Sequence, residues 1–183
     1  DISPAGLALC RRRSLPRLGQ ASVNGLPFPD ASFDLVTSFD VLYHRAVTDH
    51  HAALLEFWRV LRPGGRLLLR LPAYEWLRRY HDEVVHTGRR FTSRGLSRDL
   101  AAAGFVVERL TYANTFSLPV AILQSVLEKR LPPRKRPTLH RGPAWQNGLF
   151  TRLLYLEAWW LRTHSLPFGL TVAGVARKPG KDL

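Results

Sequence analysis

The sequence predicts an α/β fold built on a mostly parallel sheet, and three observations carry that prediction. Between residues 34 and 71 a strand, a helix, a tight turn and a second strand follow one another without a break. Such a βαβ unit joins parallel strands through a right-handed crossover. Helical and strand-like patterns alternate along the rest of the chain, and 183 residues with 45% hydrophobic content are enough to bury a core.

Each element has a local reason. Ser3 is a fair N-cap with Pro4 in the first turn, so Pro4 to Arg13 reads as a helix with Leu7, Leu9 and Cys10 on its apolar side. Leu15 to Ala21 reads as a short strand. LPFPDASFD is a loop, punctuated by two prolines and an aspartate. FDLVTSFDVL then offers a buried strand of four to seven residues, with a structural Asp34 at its entrance and Asp40 near its exit.

Thr48 to Leu61 has the helical period, with Thr48 as the cap. Arg62-Pro63-Gly64-Gly65 stops that helix, because proline cannot continue it and glycine takes the positive-φ turn. Arg66 to Leu71 follows as a strand. After Pro72 come a helix from Tyr74 to Tyr80, an irregular polar stretch HDEVVHTGRRFT, and a helix from Ser93 to Ala103 closed by Gly104. FVVERLTYA is β-branched and strand-like. Helices over Phe116 to Arg130 and Asn147 to Arg162 flank a basic, proline-rich segment, and Leu170 to Ala176 supplies a last strand.

Composition narrows the function classes. One cysteine excludes an intrachain disulfide framework and any cysteine-based zinc knuckle, which makes a reducing cytoplasm the expected location. No apolar run reaches the length of a membrane span; FSLPVAILQSVL is too short and holds Pro119 and Gln124. The formal net charge of +13 favours anionic partners: nucleic acid, acidic lipid head groups or phosphorylated substrates. An arginine-rich genome is the bland alternative. Six basic residues crowd between Lys129 and Arg141, so that stretch means more than the total.

LPFPDASFDLVTSFDVLYH (Leu26–His44), EFWRVLRPGGRLLLRLP (Glu56–Pro72) and the Gly104–Phe105 turn into VVERL together resemble class I S-adenosylmethionine-dependent methyltransferases of the small-molecule, "type 11" group. The resemblance runs from Asp1 to about Tyr112 and returns at the last strand. It implies a Rossmann-like sheet whose last strand is antiparallel. It also implies S-adenosylmethionine as cofactor and a helical, basic insertion at about 115–165. In that family a first strand, a glycine-rich loop and a helix precede the residue matching Asp1. Residues 1–183 contain no such loop, so the chain is expected to be one domain's C-terminal two-thirds, with the activity belonging to an intact parent.

The same resemblance assigns roles. Asp1, with Ile2 beside it, stands where an acidic residue holds the ribose hydroxyls; a carboxylate can accept both hydrogen bonds of a vicinal diol. Ser22 stands where an acceptor meets the adenine amino group, and Val23 packs on the adenine face. Phe39 and Asp40 sit at the carboxyl end of the fourth strand, where open α/β sheets bind ligands. His44 follows as the candidate base for a protonated nucleophile, against a plain helix-start hydrogen bond. Tyr80, His81, Asp82, His86 and Arg90 lie on the loop after the fifth strand and are expected to face the acceptor; a solvated loop is the alternative. HDEVVH is not read as a metal motif, because residues five apart lie about 140° apart around a helix.

Three functions compete. The first is methyl transfer to a small molecule, lipid-linked or glycan-related, with peripheral contact between residues 129–141 and an anionic membrane. The second is a nucleic-acid methyltransferase. FDVLYH stands where amino-methylating enzymes carry Asn/Asp-Pro-Pro-aromatic, and Cys10 is far from where a cytosine-carbon enzyme needs its nucleophile. The third is a truncated, non-catalytic domain that acts as a binding partner.

Overall fold

The structure is a computed structural model, and it describes residues 1–130 and 144–180. Its elements are α1 (Pro4–Arg12), β1 (Phe33–Phe39), α2 (His50–Val60), β2 (Leu61–Pro72), a 3-10 turn (Glu75–Leu77), α3 (Tyr80–Val84), α4 (Ser93–Ala102), β3 (Val106–Ala113), α5 (Leu118–Arg130), α6 (Ala144–Trp160) and β4 (Thr171–Arg177). The sheet order is β1-β2-β4-β3. β1 and β2 are parallel, while β4 runs antiparallel to both of its neighbours. This is the α/β, Rossmann-like arrangement expected from the sequence.

The core lies between one face of the sheet and two helices. Leu54 and Phe57 of α2, and Leu96 and Leu100 of α4, meet Leu67, Leu69 and Leu71 of β2 and Val172 and Ala176 of β4. Burying one such leucine is worth about 1.5–3 kcal/mol relative to leaving it exposed. Gly104, at φ +88°, turns the chain from α4 into β3 in the left-handed region that glycine enters without strain.

Several expectations need correction. Leu15 to Ala21 forms no strand; the segment runs irregularly and touches the chain start through Ala21 N–H to Asp1 C=O at 3.2 Å. Asp49, not Thr48, caps α2, its carboxylate accepting from the His51 and Ala52 amides. The Tyr74–Tyr80 helix is a three-residue 3-10 turn, and the polar stretch after it contains α3. β1, expected to be buried, is mostly open: Leu35 is 55% and Phe39 48% exposed, because no described element covers that face.

The Arg62-Pro63-Gly64-Gly65 segment does not sit before β2 but inside it, as a bulge; the β1 pairing jumps from Leu61 to Arg66 there. Lys178 clamps it. Gly64 N–H donates to Lys178 C=O and Lys178 N–H to Gly65 C=O, both at 2.9 Å. The Lys178 ammonium donates to the carbonyls of Trp58 and Leu61 at 2.7 Å and lies 3.7 Å from the Trp58 ring centre. A cation there satisfies carbonyls at the C-terminal end of α2 and complements its dipole. Burial pushes the amine's pKa below its usual value.

Glu56 and Arg59 of α2 stitch down the loop that feeds β1. Glu56 accepts from Arg59 and from the Leu26 amide, which lowers its pKa to about 2. Arg59 donates to the carbonyls of Phe28 and Leu26. Arg62 grips Asp34 through both carboxylate oxygens, at 2.9 and 3.0 Å, at the entrance of β1. The conspicuous EFWRVLRPGG run thus holds the preceding loop and a bulge in place, and so fixes where β1 begins.

Candidate active site

β1 and β2 finish side by side, and their carboxyl ends form the edge at which this class of sheet binds ligands. Pro72 pairs with Thr171, and Thr171 with Ala113, so the ends of β2 and β3 and the start of β4 share that edge. Phe39 closes β1. Asp40 follows at φ +55°, a left-handed conformation that aspartate adopts more readily than most side chains. Its amide donates to the Arg70 carbonyl at 2.9 Å, and its carboxylate pairs with the Arg70 guanidinium. Arg70 also lies 5.6 Å from the Phe39 ring centre. The result is a fixed carboxylate beside an exposed aromatic face.

The other cofactor candidates form a second group. Asp1 accepts from the Ser3 amide through Oδ1 at 2.8 Å, ahead of α1, and Ile2 beside it is 54% exposed. Hydrogen bonding between Asp1 and Ala21 brings these two residues next to Ser22 and Val23. Ser22 Oγ accepts from the Asn24 amide at 3.2 Å in a local turn, and its hydroxyl proton remains to donate. Val23 packs against the core. A carboxylate for a diol, a hydroxyl for a purine edge, and a carboxylate with an aromatic face for a sulfonium match the parts of S-adenosylmethionine, so the donor set fits that cofactor.

Two loops meet beside this edge. Arg45 N–H donates to His86 C=O at 2.9 Å and Gly88 N–H to Tyr43 C=O at 2.7 Å, zipping the segment after β1 to the segment after α3. His44 and His86 therefore meet edge to face, 5.7 Å between ring centres. His44 Nδ1 accepts from the Ala46 amide at 3.1 Å. A ring nitrogen that accepts from a backbone amide carries no proton, so neutral His44 has its hydrogen on Nε2 and presents a donor.

Asp82 and Arg90 are joined to each other. Arg90 donates through Nε and Nη2 to the two oxygens of Asp82, both at 3.0 Å, and through Nη1 to Ala73 C=O at 2.8 Å. With 3% of the Asp82 side chain and 10% of the Arg90 side chain exposed, the pair is a buried brace for the loop. Tyr80 and His81 are exposed on α3, and the Tyr80 amide donates to Glu128 of α5 at 3.1 Å.

Sequence reasoning missed an aromatic wall at this edge. Tyr74, at φ +58°, stacks on Tyr112 at 5.1 Å and faces Trp76 at 5.6 Å. Burial and its bond to Tyr112 push the Tyr74 hydroxyl's pKa up to about 12. Tyr43 is held above its usual pKa by burial and then by Asp40 and Asp82. The signal for Tyr74 was its place two residues past the end of β2; its partner is 38 positions away and no local pattern joins them.

Among the described residues, His50, His51 and Asp99 form one cluster of metal-ligand types. Arg89 donates to His50 Nδ1, so His50 Nε2 keeps its proton for Asp99 at 3.3 Å and has no lone pair for a metal.

A family model described as "Methyltransferase domain" matches residues 1–69. A ubiquinone/menaquinone biosynthesis C-methyltransferase of Psychromonas ingrahamii is 48% identical over 66 residues, 34% of this chain and 26% of that protein. The Hahella chejuensis protein of the same name is 58% identical over 50 residues, 27% of this chain and 19% of its own. The matched segment thus spans about a quarter or less of these relatives. Among solved structures, a methyltransferase of Haloferax volcanii in complex with a methyltransferase activator has a TM-score of 0.60 at 18% identity, covering 98% of this chain and 70% of that one. An S-adenosylmethionine-dependent methyltransferase from Mesorhizobium loti has a TM-score of 0.59 at 16% identity, covering 97% and 77%. Residues 1–69 therefore match the model of a methyltransferase domain, set in a chain whose described fold is shared with solved methyltransferases.

Proposed function

We propose that this chain forms the cofactor-edge and acceptor side of a methyltransferase that acts on a small, lipid-linked aromatic molecule. The observation that carries the reading is the coincidence of two groups at one sheet edge: Asp40 with Phe39, and the Tyr74–Trp76–Tyr112 wall. Half-buried Tyr74 and exposed Trp76, backed by buried Tyr112, suit a planar apolar acceptor better than a glycan. The names of the matched relatives, C-methyltransferases of ubiquinone and menaquinone biosynthesis, point the same way.

Bound S-adenosylmethionine would supply an electrophilic methyl carbon. Transfer would join that carbon to a nucleophilic atom of the acceptor as the carbon–sulfur bond breaks and a neutral sulfide leaves, and the proton that the methyl replaces would pass to solvent. The protein's share is alignment, which contributes much of the rate of such a displacement. In this reading Asp1, Ile2, Ser22 and Val23 hold the nucleoside, and Phe39 and Asp40 hold the sulfonium end. His44 donates from Nε2 to an oxygen of the acceptor, and Tyr80, His81 and His86 border it, over the brace of Asp82 and Arg90.

Calorimetric titration of S-adenosylmethionine tests the reading. Binding in the micromolar range is expected, weakened roughly tenfold or more in Asp40→Ala, since the charge-assisted contact is then gone. Binding that Asp40→Ala leaves unchanged, or no binding by the protein as its gene encodes it, would sink it.

A further inference from the structure

The second edge-facing feature of the molecule is apolar. α5 is anchored by buried Leu118, Ala121 and Ser125 on one side, while Val120, Leu123, Val126 and Leu127 are exposed on the other. α6 is anchored by Glu157, whose carboxylate accepts from the Asn114 and Thr115 amides at 2.5 and 2.8 Å. Most of its remaining surface is apolar and open, with Trp145 71%, Tyr155 75% and Trp159 63% exposed. A helix apolar on nearly every side is normally buried, and an exposed apolar patch of this kind marks a contact surface.

A cavity of about 400 Å³ lies behind α6, walled by Phe116, Leu156, Trp159, Trp160 and Leu166. Its two polar liners are already engaged: Glu157 on the two amides, and Thr115 Oγ1 donating to Phe168 C=O at 2.6 Å. What remains is a hydrocarbon-lined space at the end of β3, on the same sheet edge as the aromatic wall. Charge selects the occupant. Among the described residues from Phe116 to Phe168, Arg130, Arg152 and Arg162 are exposed, whereas both Glu are committed, Glu128 to the Tyr80 amide and Glu157 as above. A second copy would bring the same positive surplus to the contact. An anionic bilayer offers both the hydrocarbon and the opposite charge.

We propose that the exposed faces of α5 and α6 dock this protein on an anionic bilayer, with the cavity behind α6 taking up a hydrocarbon chain from it. The docking surface lies on the described helices. Of the basic stretch 129–141, to which the sequence pointed, residues 131–141 lie outside the described residues. The proposal gives the lipid-linked acceptor a route to the sheet edge and so deepens the methyl-transfer reading, but its readout involves neither cofactor nor methyl transfer. Failure of one leaves the other standing.

The test is flotation of the full chain with vesicles of phosphatidylcholine alone, or mixed with phosphatidylglycerol. Tryptophan quenching by phosphatidylcholine brominated on its acyl chains is read in parallel. Binding to the anionic vesicles is expected to be at least about tenfold tighter, and to weaken as salt rises. The Trp159→Glu, Trp160→Glu double variant should lose both binding and quenching. Leu123→Glu, on the outward side of α5, should lose binding with an unchanged thermal melt, which separates docking from misfolding. Equal partition into neutral vesicles, or full binding by either variant, would overturn the proposal. So would self-association that hides the same tryptophans without lipid, or quenching by monomeric brominated fatty acid without vesicle binding.

Discussion

At His44 a single backbone amide decides the chemistry a side chain can offer. The Ala46 amide occupies Nδ1, so the neutral ring is a donor at Nε2 and not a base there. His44→Gln keeps an N–H donor of similar reach but cannot take a proton, whereas His44→Leu can do neither. The expected outcome is that Gln retains methyl transfer within roughly tenfold while Leu loses about a hundredfold or more in kcat. Equal losses in single-turnover assays would restore the base role. Residue types at this edge were readable because FDVLYH sits at a fixed offset from the strand. Their pairings were not. Nothing local announced that Asp82 and Arg90 would neutralise each other in a buried brace, or that Tyr74 would find Tyr112.

The bulge inside β2 shows what an element's turn residues must supply. Gly64 stands at φ +80° with open space where a Cβ would go, so an alanine there meets only the conformational cost, about 1 kcal/mol. Gly65 is the reverse case. Its Cβ would lie 2.9 Å from the Arg62 carbonyl oxygen and 3.2 Å from that of Asp34, and backbone held in a sheet cannot give way cheaply. Gly65→Ala should therefore cost about 2–3 kcal/mol, more than Gly64→Ala, as read from urea midpoints. The opposite order would mean that Lys178 does not clamp the bulge rigidly. Sequence pattern located these glycines but assigned them to a turn ahead of the strand, since punctuation looks alike before a strand and within one. The same limit explains β1: an apolar run fixes a strand, while its burial depends on what covers each face.

Over the whole molecule, charge is unevenly matched. The chain has 27 Lys and Arg against 14 Asp and Glu. The carboxylates are largely used at contact distance, as in Arg59 with Asp30, Arg62 with Asp34 and Arg66 with Glu108, at 2.7–2.9 Å. The surplus cations repel one another across longer distances. Salt distinguishes the two: screening acts first on charges farther apart than a Debye length, about 8 Å at 0.15 M, and least on pairs in contact or buried. Exposed ion pairs are worth about 0–1 kcal/mol each, so weakening them costs little, whereas relieving a net +13 sums over many pairs. The melting temperature should therefore rise with sodium chloride, by about 2–5 °C between roughly 0.02 and 0.3 M, since about 1 kcal/mol moves a protein of this size by 2–4 °C. A fall over that range in thermal melts would mean that the contact pairs dominate, and that the surplus charge lies too far apart in the folded chain to strain it.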